Sequence, residues 1–229
     1  MKTIGLLGGM SWESTELYYR LINQGVKRRL GGLHSAQIAL VSVDFQGIEA
    51  LQHRGDWAQA GVVLAQAAQR VAAAGADFLL ICTNTMHKVA PQIGGSIDIP
   101  ILHIADATAD RVRQAGLQRV GLLGTRFTME QDFYRGRFDR YGIEVIIPPE
   151  DDRRIVHRVI YEELCLGEVK TESRQTYLRI IEALRTQGAQ GAIAGCTEIG
   201  TLVQQSHVAV PLFDTTAIHA EAAVAMALA

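Results

Sequence analysis

The segment Cys196-Thr197-Glu198 carries the residue types of a proton-transfer site. It follows Gly195 and a short apolar run, residues 191–194, where a buried strand is expected to end. A thiol at a strand end beside the start of a helix can have a lowered pKa and so supply a thiolate. We predict that Cys196 is a general base. The alternative, a small buried thiol that packs as a hydrophobic side chain, remains open.

An internal repeat makes Thr83 the counterpart of Cys196. Three short stretches recur in the same order: Gly5-Leu6-Leu7-Gly8 as Gly121-Leu122-Leu123-Gly124, Gly75-Ala76 as Gly188-Ala189, and Pro100-Ile101-Leu102 as Pro211-Leu212-Phe213. The second match has an offset of 188 − 75 = 113 residues, and 196 − 113 = 83. Successive side chains of a strand point to opposite faces, so Cys82 is expected to point into the interior of its own half when Thr83 points into the site.

The elements that position these residues follow an alternating pattern. Apolar runs of about five residues alternate with longer helical patterns, which is typical of βαβ units and parallel sheets. Strands are predicted at residues 3–7, 36–43, 77–82, 99–103, 120–123, 144–147, 191–194 and 210–213. Helices are predicted at residues 13–30, 57–74, 105–115 and 216–228, the first three ending at a glycine. The fold class is therefore α/β.

The repeat also predicts the domain organisation. We expect two pseudosymmetric, doubly wound parallel-sheet domains, one formed by residues 1–97 plus 215–229 and the other by residues 98–214. Ligands of such sheets bind beyond the carboxyl ends of the strands. Two similar halves would present two similar strand ends to one cleft between them. We expect the active site in that cleft, where chemistry on both faces of one small molecule is possible.

Other polar groups give weaker signals. The segment Gly8-Gly9-Met10-Ser11-Trp12-Glu13-Ser14, at the exit of the first strand, suits a carboxylate held by backbone N–H groups. Thr128 and Gln131 fit a capping box at the start of a helix, just after Thr125. Gln52, His53 and Arg54 are read as a polar loop. His87, His103 and His219 lack the paired spacing of a metal site, so we predict that they make hydrogen bonds and that the protein has no metal site.

Composition excludes several classes of protein. The chain has 229 residues, with 22 Lys and Arg against 24 Asp and Glu, so a net charge of −2 offers nucleic acid no basic surface. No apolar run approaches the roughly 18 residues that span a membrane, and the N-terminus does not resemble a signal peptide. Cys82, Cys165 and Cys196 are too widely spaced for a disulfide framework. We expect a cytoplasmic protein with no nucleic-acid or membrane partner.

These motifs together resemble the aspartate/glutamate racemase family, and most closely its enteric bacterial amino-acid racemases. The resemblance covers essentially the whole chain and rests on these stretches: Gly8-Gly9-Met10, Asn84-Thr85, Met129-Glu130-Gln131-Asp132-Phe133-Tyr134 and Gly195-Cys196-Thr197-Glu198. It implies a cofactor-independent enzyme, PLP-independent and usually homodimeric, with an amino acid as its small-molecule substrate. Two cysteines of the family flank the substrate α-carbon. One thiolate takes the α-proton and the other thiol returns a proton to the opposite face.

The resemblance assigns roles residue by residue. The family's first motif is usually Cys-Asn-Thr, and here Thr83 stands before Asn84-Thr85, so a hydroxyl occupies one catalytic slot and Cys196 the other. The cysteine of the second half acts on the L isomer in the related enzymes, which implies preference for L-aspartate or L-glutamate. Substrate binding is assigned to these residues: Met10, Gln52, Asn84, Thr85, Thr125, Thr197 and Glu198.

Other functions fit the same residues. Leu166 stands where dicarboxylate-specific relatives often have Lys, which favours a broad-specificity amino-acid racemase as an alternative. Maleate isomerases, hydantoin racemases and arylmalonate decarboxylases resemble this scaffold and also use cysteines in a cleft. A catalytically inactive small-molecule binding module is the remaining alternative, with Thr83 marking the loss of catalysis.

Overall fold

The computed structural model describes residues 1–229 and divides into two compact units. One unit consists of Met1–Ile104 with His219–Ala229, and the other of Ala105–Ile218. Each unit contains its own parallel sheet flanked by helices, so the predicted α/β class is confirmed. The predicted limits after residues 97 and 214 fall earlier in the chain than these two crossover points.

The first unit is built on a three-stranded parallel sheet. Its elements are β1 (Ile4–Gly8), α1 (Trp12–Leu30), β2 (Ile38–Ser42), α2 (Phe45–Arg54), α3 (Trp57–Ala73), β3 (Phe78–Ile81) and α4 (Ala90–Gly94). The strand order is β2-β1-β3. β1 and β3 are buried along their whole length, as unbroken apolar runs predict, whereas the edge strand β2 is partly exposed.

The second unit is built on a four-stranded parallel sheet. Its elements are α5 (Ile104–Gln114), β4 (Arg119–Gly124), α6 (Arg126–Glu130), α7 (Asp132–Phe138), β5 (Glu144–Ile146), α8 (Glu150–Glu162), α9 (Thr171–Thr186), β6 (Ala192–Gly195), α10 (Ile199–Leu202), β7 (Leu212–Asp214) and α11 (Thr215–Leu228). The strand order is β5-β4-β6-β7. α5 starts at the last residue of the first unit, and α11 runs from the second unit back into the first.

The central strand pairs of the two sheets have the same register. Leu7 of β1 pairs with Ile81 of β3, and Leu123 of β4 pairs with Ala194 of β6. The offsets are 123 − 7 = 116 and 194 − 81 = 113, the values found in the sequence repeat. The repeat therefore describes two copies of one local arrangement of strands.

The predicted strand at residues 99–103 is wrong, because the segment forms only an isolated bridge between Ile101 and Leu79. Leu79 donates to the carbonyl of Pro100, and Leu102 donates back to Leu79, but Pro100 has no N–H of its own. α5 then begins at Ile104, which leaves no further residues to extend the pairing. The second sheet completes the corresponding strand as β7.

The predicted loop at residues 52–54 is also wrong, because these residues form the end of α2. Two capping signals mark this helix in the sequence. Asp44 accepts from the N–H of Gln46 at 3.2 Å, and Gly55 ends the helix in the left-handed region at φ 71°. The run of polar side chains at Gln52, His53 and Arg54 is typical of a loop, but here it ends a short amphipathic helix.

Two apolar clusters hold the first unit together on the two sides of its sheet. One cluster includes Leu7, Leu79 and Ile81 with α2 and α3. The other joins Leu6 and Leu80 to Val224 of α11, so the last helix packs against the first sheet as predicted. None of the helices combines the length and the apolar character that crossing a bilayer requires.

Candidate active site

Cys196 lies at the carboxyl end of β6, directly after Gly195. Residues 192–195 and 197–199 are buried, whereas Cys196 between them is partly exposed. A side chain at this point can meet a small molecule without opening the core. Gly195 is required for the close approach to β4, since a Cβ there would lie 2.9 Å from the carbonyl oxygen of Leu123.

The Cys196 thiol is hydrogen-bonded to a carboxylate. Its Sγ donates to Oε2 of Glu198 over 2.9 Å, and the hydroxyl of Thr197 donates to the same oxygen over 2.6 Å. Thr197 and Glu198 are both buried. One carboxylate oxygen is thus placed to receive the thiol proton, and the Thr197 hydroxyl stabilises its negative charge.

The pKa of Cys196 moves opposite to the prediction. Burial raises the thiol pKa well above its ordinary value, and the negative charge of Glu198 raises it further. The expected effect of a helix N-terminus is weak because α10 has only 4 residues. The resting Cys196 is therefore a thiol, and it must lose its proton before it can act as a base.

Thr83 occupies the equivalent position in the first unit. It lies two residues beyond Ile81, and Cys196 lies two residues beyond Ala194, the residues that pair with the central strand of each sheet. Like Cys196, Thr83 is partly exposed between buried neighbours, here Cys82 and Asn84. The structure thus places a hydroxyl and a thiol at matching strand ends of the two units.

Asn84 and Thr85 follow Thr83 and are both buried, 3% and 5% exposed. Thr85 begins a 3₁₀ helix, Thr85–Val89, so the chain turns sharply at the strand end. With the 113-residue offset, Asn84 matches Thr197 and Thr85 matches Glu198. The first unit therefore has no carboxylate at the position from which Glu198 contacts Cys196.

Cys82 is a core residue, as the strand alternation predicts. It is fully buried and packs with Leu80 of β3 and with Tyr18 of α1. Burial raises its thiol pKa far above the ordinary value. This environment makes Cys82 a poor candidate for either catalytic slot.

Met10 and Gln52, both assigned to substrate binding, lie in the interior of the first unit. Met10 is 3% exposed and belongs to the apolar cluster that includes Leu51 and Met86. Gln52 is also 3% exposed, and its side-chain amide donates to the sulfur of Met86 over 2.9 Å. These contacts tie Gln52 of α2 to the 3₁₀ helix that follows Asn84.

Thr125 caps the helix at the exit of β4. Its hydroxyl accepts from the N–H of Thr128 over 3.3 Å, so the predicted capping box of Thr128 and Gln131 is wrong, and Gln131 lies beyond the end of α6. The exit of β1 repeats the arrangement, because Ser11 accepts from the N–H of Ser14 over 3.3 Å. The predicted hydroxyl cap before α1 is thereby confirmed.

A matching pair of hydroxyl groups follows β1 and β4, and the sequence analysis did not recognise the two pairs as equivalent. The side-chain oxygens of Ser11 and Ser14 lie 3.3 Å apart, and those of Thr125 and Thr128 lie 3.2 Å apart. All four residues are buried. The signal in the sequence was the same spacing, hydroxyl-x-x-hydroxyl, three residues after Gly8 and directly after Gly124.

Three of the histidines in the first unit, His87, His103 and His219, form a buried group, and His87 contacts Thr83. His87 Nδ1 lies 2.8 Å from the Thr83 carbonyl oxygen, and His219 Nε2 lies 2.8 Å from that of Leu102. The rings of His87 and His103 are 4.4 Å apart between centroids. The predicted hydrogen bonding is confirmed for His87 and His219. No group of three His, Cys, Asp or Glu side chains has the arrangement of a metal site.

Comparison with known proteins identifies the family. The sequence profile of the Asp/Glu/hydantoin racemases matches residues 7–223. The chain belongs to this family. The predicted resemblance is thereby confirmed. The matched region includes the strand ends at Thr83 and Cys196.

Individual racemase relatives agree with this assignment. A candidate Asp/Glu racemase from Yersinia pestis is 58% identical, with a TM-score of 0.94 and complete coverage of both chains. An aspartate racemase homologue from Pyrococcus horikoshii is 32% identical, with a TM-score of 0.86 and complete coverage of both chains.

A more distant relative is the broad-specificity amino-acid racemase RacX of Bacillus subtilis. It is 23% identical over 162 residues, which is 68% of this chain. The match spans 66% of the Bacillus protein, just under two thirds of its length.

Proposed function

We propose that this protein is a cofactor-independent amino-acid racemase that acts preferentially on L-aspartate or L-glutamate. The observation that carries the proposal is the hydrogen bond from the Cys196 thiol to Glu198 at the end of β6. Membership of the Asp/Glu/hydantoin racemase family supports it. Cys196 is the base for the L isomer, and Thr83 occupies the opposite slot.

The first step transfers the thiol proton of Cys196 to Oε2 of Glu198. This transfer uses the 2.9 Å hydrogen bond already in place and leaves a thiolate and a carboxylic acid. The raised pKa of the thiol opposes the step. The α-ammonium group of a bound amino acid would favour the thiolate, because a nearby positive charge stabilises an anion.

The second step is removal of the α-proton. The Cys196 sulfur forms a bond to the proton, the Cα–H bond breaks, and its electron pair passes into the α-carboxylate of the substrate as an enolate-like anion. Hydrogen-bond donors that face the developing charge stabilise such a transition state. We assign Asn84, Thr85 and Thr197 to binding of the α-carboxylate. Thr125, whose hydroxyl caps α6, is also assigned to substrate binding.

The third step returns a proton to either face of the α-carbon. Return by Cys196 gives exchange with retention of configuration, and return from the opposite face gives the D isomer. Thr83 is a weak proton donor, because an unactivated hydroxyl is far less acidic than a thiol. It is also a poor base, because the hydroxyl stays protonated and supplies no alkoxide. We therefore expect L substrates to react much faster than D substrates.

Broad specificity is the second candidate, and one residue favours it. Leu166 is 69% exposed and offers no charge to a side-chain carboxylate. RacX, a broad-specificity racemase, is among the relatives. Met10 and Gln52 stay assigned to substrate binding under either specificity, and a homodimer remains part of the proposal.

The test is α-proton loss in D₂O, followed by proton NMR on separate L and D amino acids, with product chirality measured at the end. We expect exchange of L-aspartate or L-glutamate, little exchange of the D isomers, and a loss of roughly 10²–10⁴-fold in Cys196→Ser. Cys165→Ser is the matched control, because Cys165 is also a partly exposed thiol outside any disulfide and has no proposed part in proton transfer, although its charge influences the pKa of Cys196.

Three results would redirect the assignment. Wild-type exchange in Cys196→Ser would rule out Cys196 as the base. Turnover of maleate or a hydantoin without amino-acid exchange would favour the related isomerases. Ligand-dependent thermal stabilisation without exchange of any substrate would favour a binding module.

A further inference from the structure

His87 is buried next to the proposed site and contacts two separate backbone segments. Its Nδ1 lies 2.8 Å from the carbonyl oxygen of Thr83, and its Nε2 accepts from the N–H of Ile104 over 3.3 Å. A carbonyl oxygen can only accept, so Nδ1 carries the proton and donates to it. The neutral ring in this tautomer satisfies both contacts at once.

The contact to Thr83 fixes a peptide group at the strand end. The Thr83–Asn84 peptide is trans, so its C=O and N–H point in opposite directions. Anchoring the Thr83 carbonyl at His87 therefore sets the direction of the Asn84 N–H. The Thr83 N–H is held as well, since it donates to the carbonyl of Ile81 over 2.8 Å. Hydrogen bonds thus hold the backbone of Thr83 at both its N–H and its C=O.

The contact to Ile104 connects this peptide to the end of the first unit. Ile104 begins α5 and is the last residue of the unit before the chain crosses over. His219, where the chain re-enters the unit, donates from Nε2 to the carbonyl of Leu102 and has Tyr18 as its partner at Nδ1. The two imidazoles lie 5.9 Å apart between ring centroids.

The equivalent position in the second unit has no imidazole. With the 113-residue offset, His87 matches Gly200, and with the 211 − 100 = 111 offset His103 matches Asp214. A Cβ on Gly200 would lie 3.0 Å from Oδ2 of Asp214, so the same two positions adjoin each other in both units. The His87 contact is therefore a feature of the strand end that carries Thr83 alone.

We propose that His87 is a positioning residue for the racemase site: its imidazole fixes the Thr83–Asn84 peptide and so directs the Thr83 hydroxyl and the Asn84 amide toward the substrate. This inference rests on the proposed function. His87 does not touch the reacting atoms, because its Nδ1 is engaged by a backbone carbonyl and its Nε2 by a backbone N–H.

Two substitutions separate the two contacts. In His87→Asn the side-chain amide nitrogen stands near the place of Nδ1 and keeps the donor to Thr83. In His87→Gln the amide stands near the place of Nε2, so the Ile104 contact is kept and the Thr83 contact is lost. His34→Gln is the control for a histidine change at an exposed position.

The measurements are kcat and KM for α-proton exchange of the L substrate, the Tm of each variant, and the amide ¹H–¹⁵N resonance of Asn84. We expect His87→Gln to lose about tenfold or more in kcat/KM, the loss typical of a misplaced binding group. His87→Asn should stay within a few-fold of wild type at a comparable Tm. The Asn84 resonance should move in His87→Gln and stay near its wild-type position in His87→Asn.

Two outcomes would overturn the proposal. Equal losses in both variants, in step with their Tm values, would show a structural role alone. An unmoved Asn84 resonance in His87→Gln would show that the imidazole does not set this peptide. If the wild type exchanges no amino acid, the proposed function fails, and the Asn84 resonance still decides whether His87 orients the peptide.

Discussion

The strand ends at Thr83 and Cys196 have the same backbone register but carry different side-chain chemistry. Thr83 and Cys196 are the partly exposed residues in otherwise buried segments, and each lies two residues past a residue that pairs with the central strand. At the position of the carboxylate that accepts from Cys196, Glu198, the first unit has Thr85. The two copies of the repeat therefore keep the same backbone position and differ in both the proposed reacting group and its neighbour.

The groups packed near the two strand ends also differ. His87 and His103 form a ring contact in the first unit, where the second unit has Gly200 and Asp214. Burial lowers the pKa of a histidine, as for His219, and raises that of an aspartate, as for Asp214. The stabilising contributions of His219 and Asp214 therefore depend on pH in opposite directions.

The largest expected effect comes from making the two strand ends alike with Thr83→Cys. A thiol in the first slot is a far better base than a hydroxyl, and no carboxylate at Thr85 raises its pKa. We expect α-proton exchange of the D isomer to rise roughly 10²–10⁴-fold. Proton NMR in D₂O with D-aspartate and D-glutamate measures it.

Thr83→Ser is the matched control, because it changes the side-chain shape and keeps the hydroxyl. D-isomer exchange that is no faster in Thr83→Cys than in Thr83→Ser would mean that Thr83 does not face the α-carbon, and the comparison of the two slots would fail.

A smaller effect is expected on stability, from His219→Gln. Burial lowers the pKa of His219 to about 4, below its ordinary value of 6.5, so the folded state favours the neutral ring. Its contribution is complete above about pH 6.5 and is lost as the pH falls toward 4. The free energy of unfolding of the wild type, relative to His219→Gln, should therefore fall by about 3 kcal/mol between pH 7 and pH 4. Urea unfolding at several pH values measures this difference.

Asp214→Asn provides the contrast from the second unit. Because burial raises the Asp214 pKa, its stabilising contribution is present at low pH and is lost as the pH rises through the folded-state pKa. The wild type should therefore lose stability relative to Asp214→Asn as the pH rises. The same sign for both variants would contradict the proposed difference in pH dependence between His219 and Asp214.

The smallest effect is expected from Glu198→Gln, which tests how the carboxylate beside Cys196 changes the thiol pKa. Glu198→Gln removes a negative charge that raises the thiol pKa, while the burial of Cys196 remains. The pH midpoint of Cys196 alkylation by iodoacetamide should move to lower pH. Peptide mass spectrometry separates Cys196 from Cys165. Glu182→Gln, an exposed carboxylate on α9 that pairs with Arg185, should leave the midpoint unchanged.

The sequence alone determined where the most buried strands lie along the chain and how the two halves match. Strands β1, β3 and β6, and β4 after Arg119, are continuous apolar runs that are buried on both faces, so their positions follow from hydrophobicity. The repeat fixed Thr83 against Cys196 by counting, and alternation along a strand gave the buried position of Cys82. These features depend on local composition and spacing.

Only the tertiary structure decided the environment of each site residue. The raised pKa of Cys196 comes from burial and from the folding of Glu198 back onto its sulfur, which spacing does not reveal. Gln52 lies on a helix against Met86 rather than in a loop. His87 Nε2 accepts from the backbone N–H of Ile104, which lies 17 residues further along the chain. Solvation and long-range hydrogen bonds are properties of packed neighbours, so the sequence supplied the proposed reacting residues and the fold determined their environment.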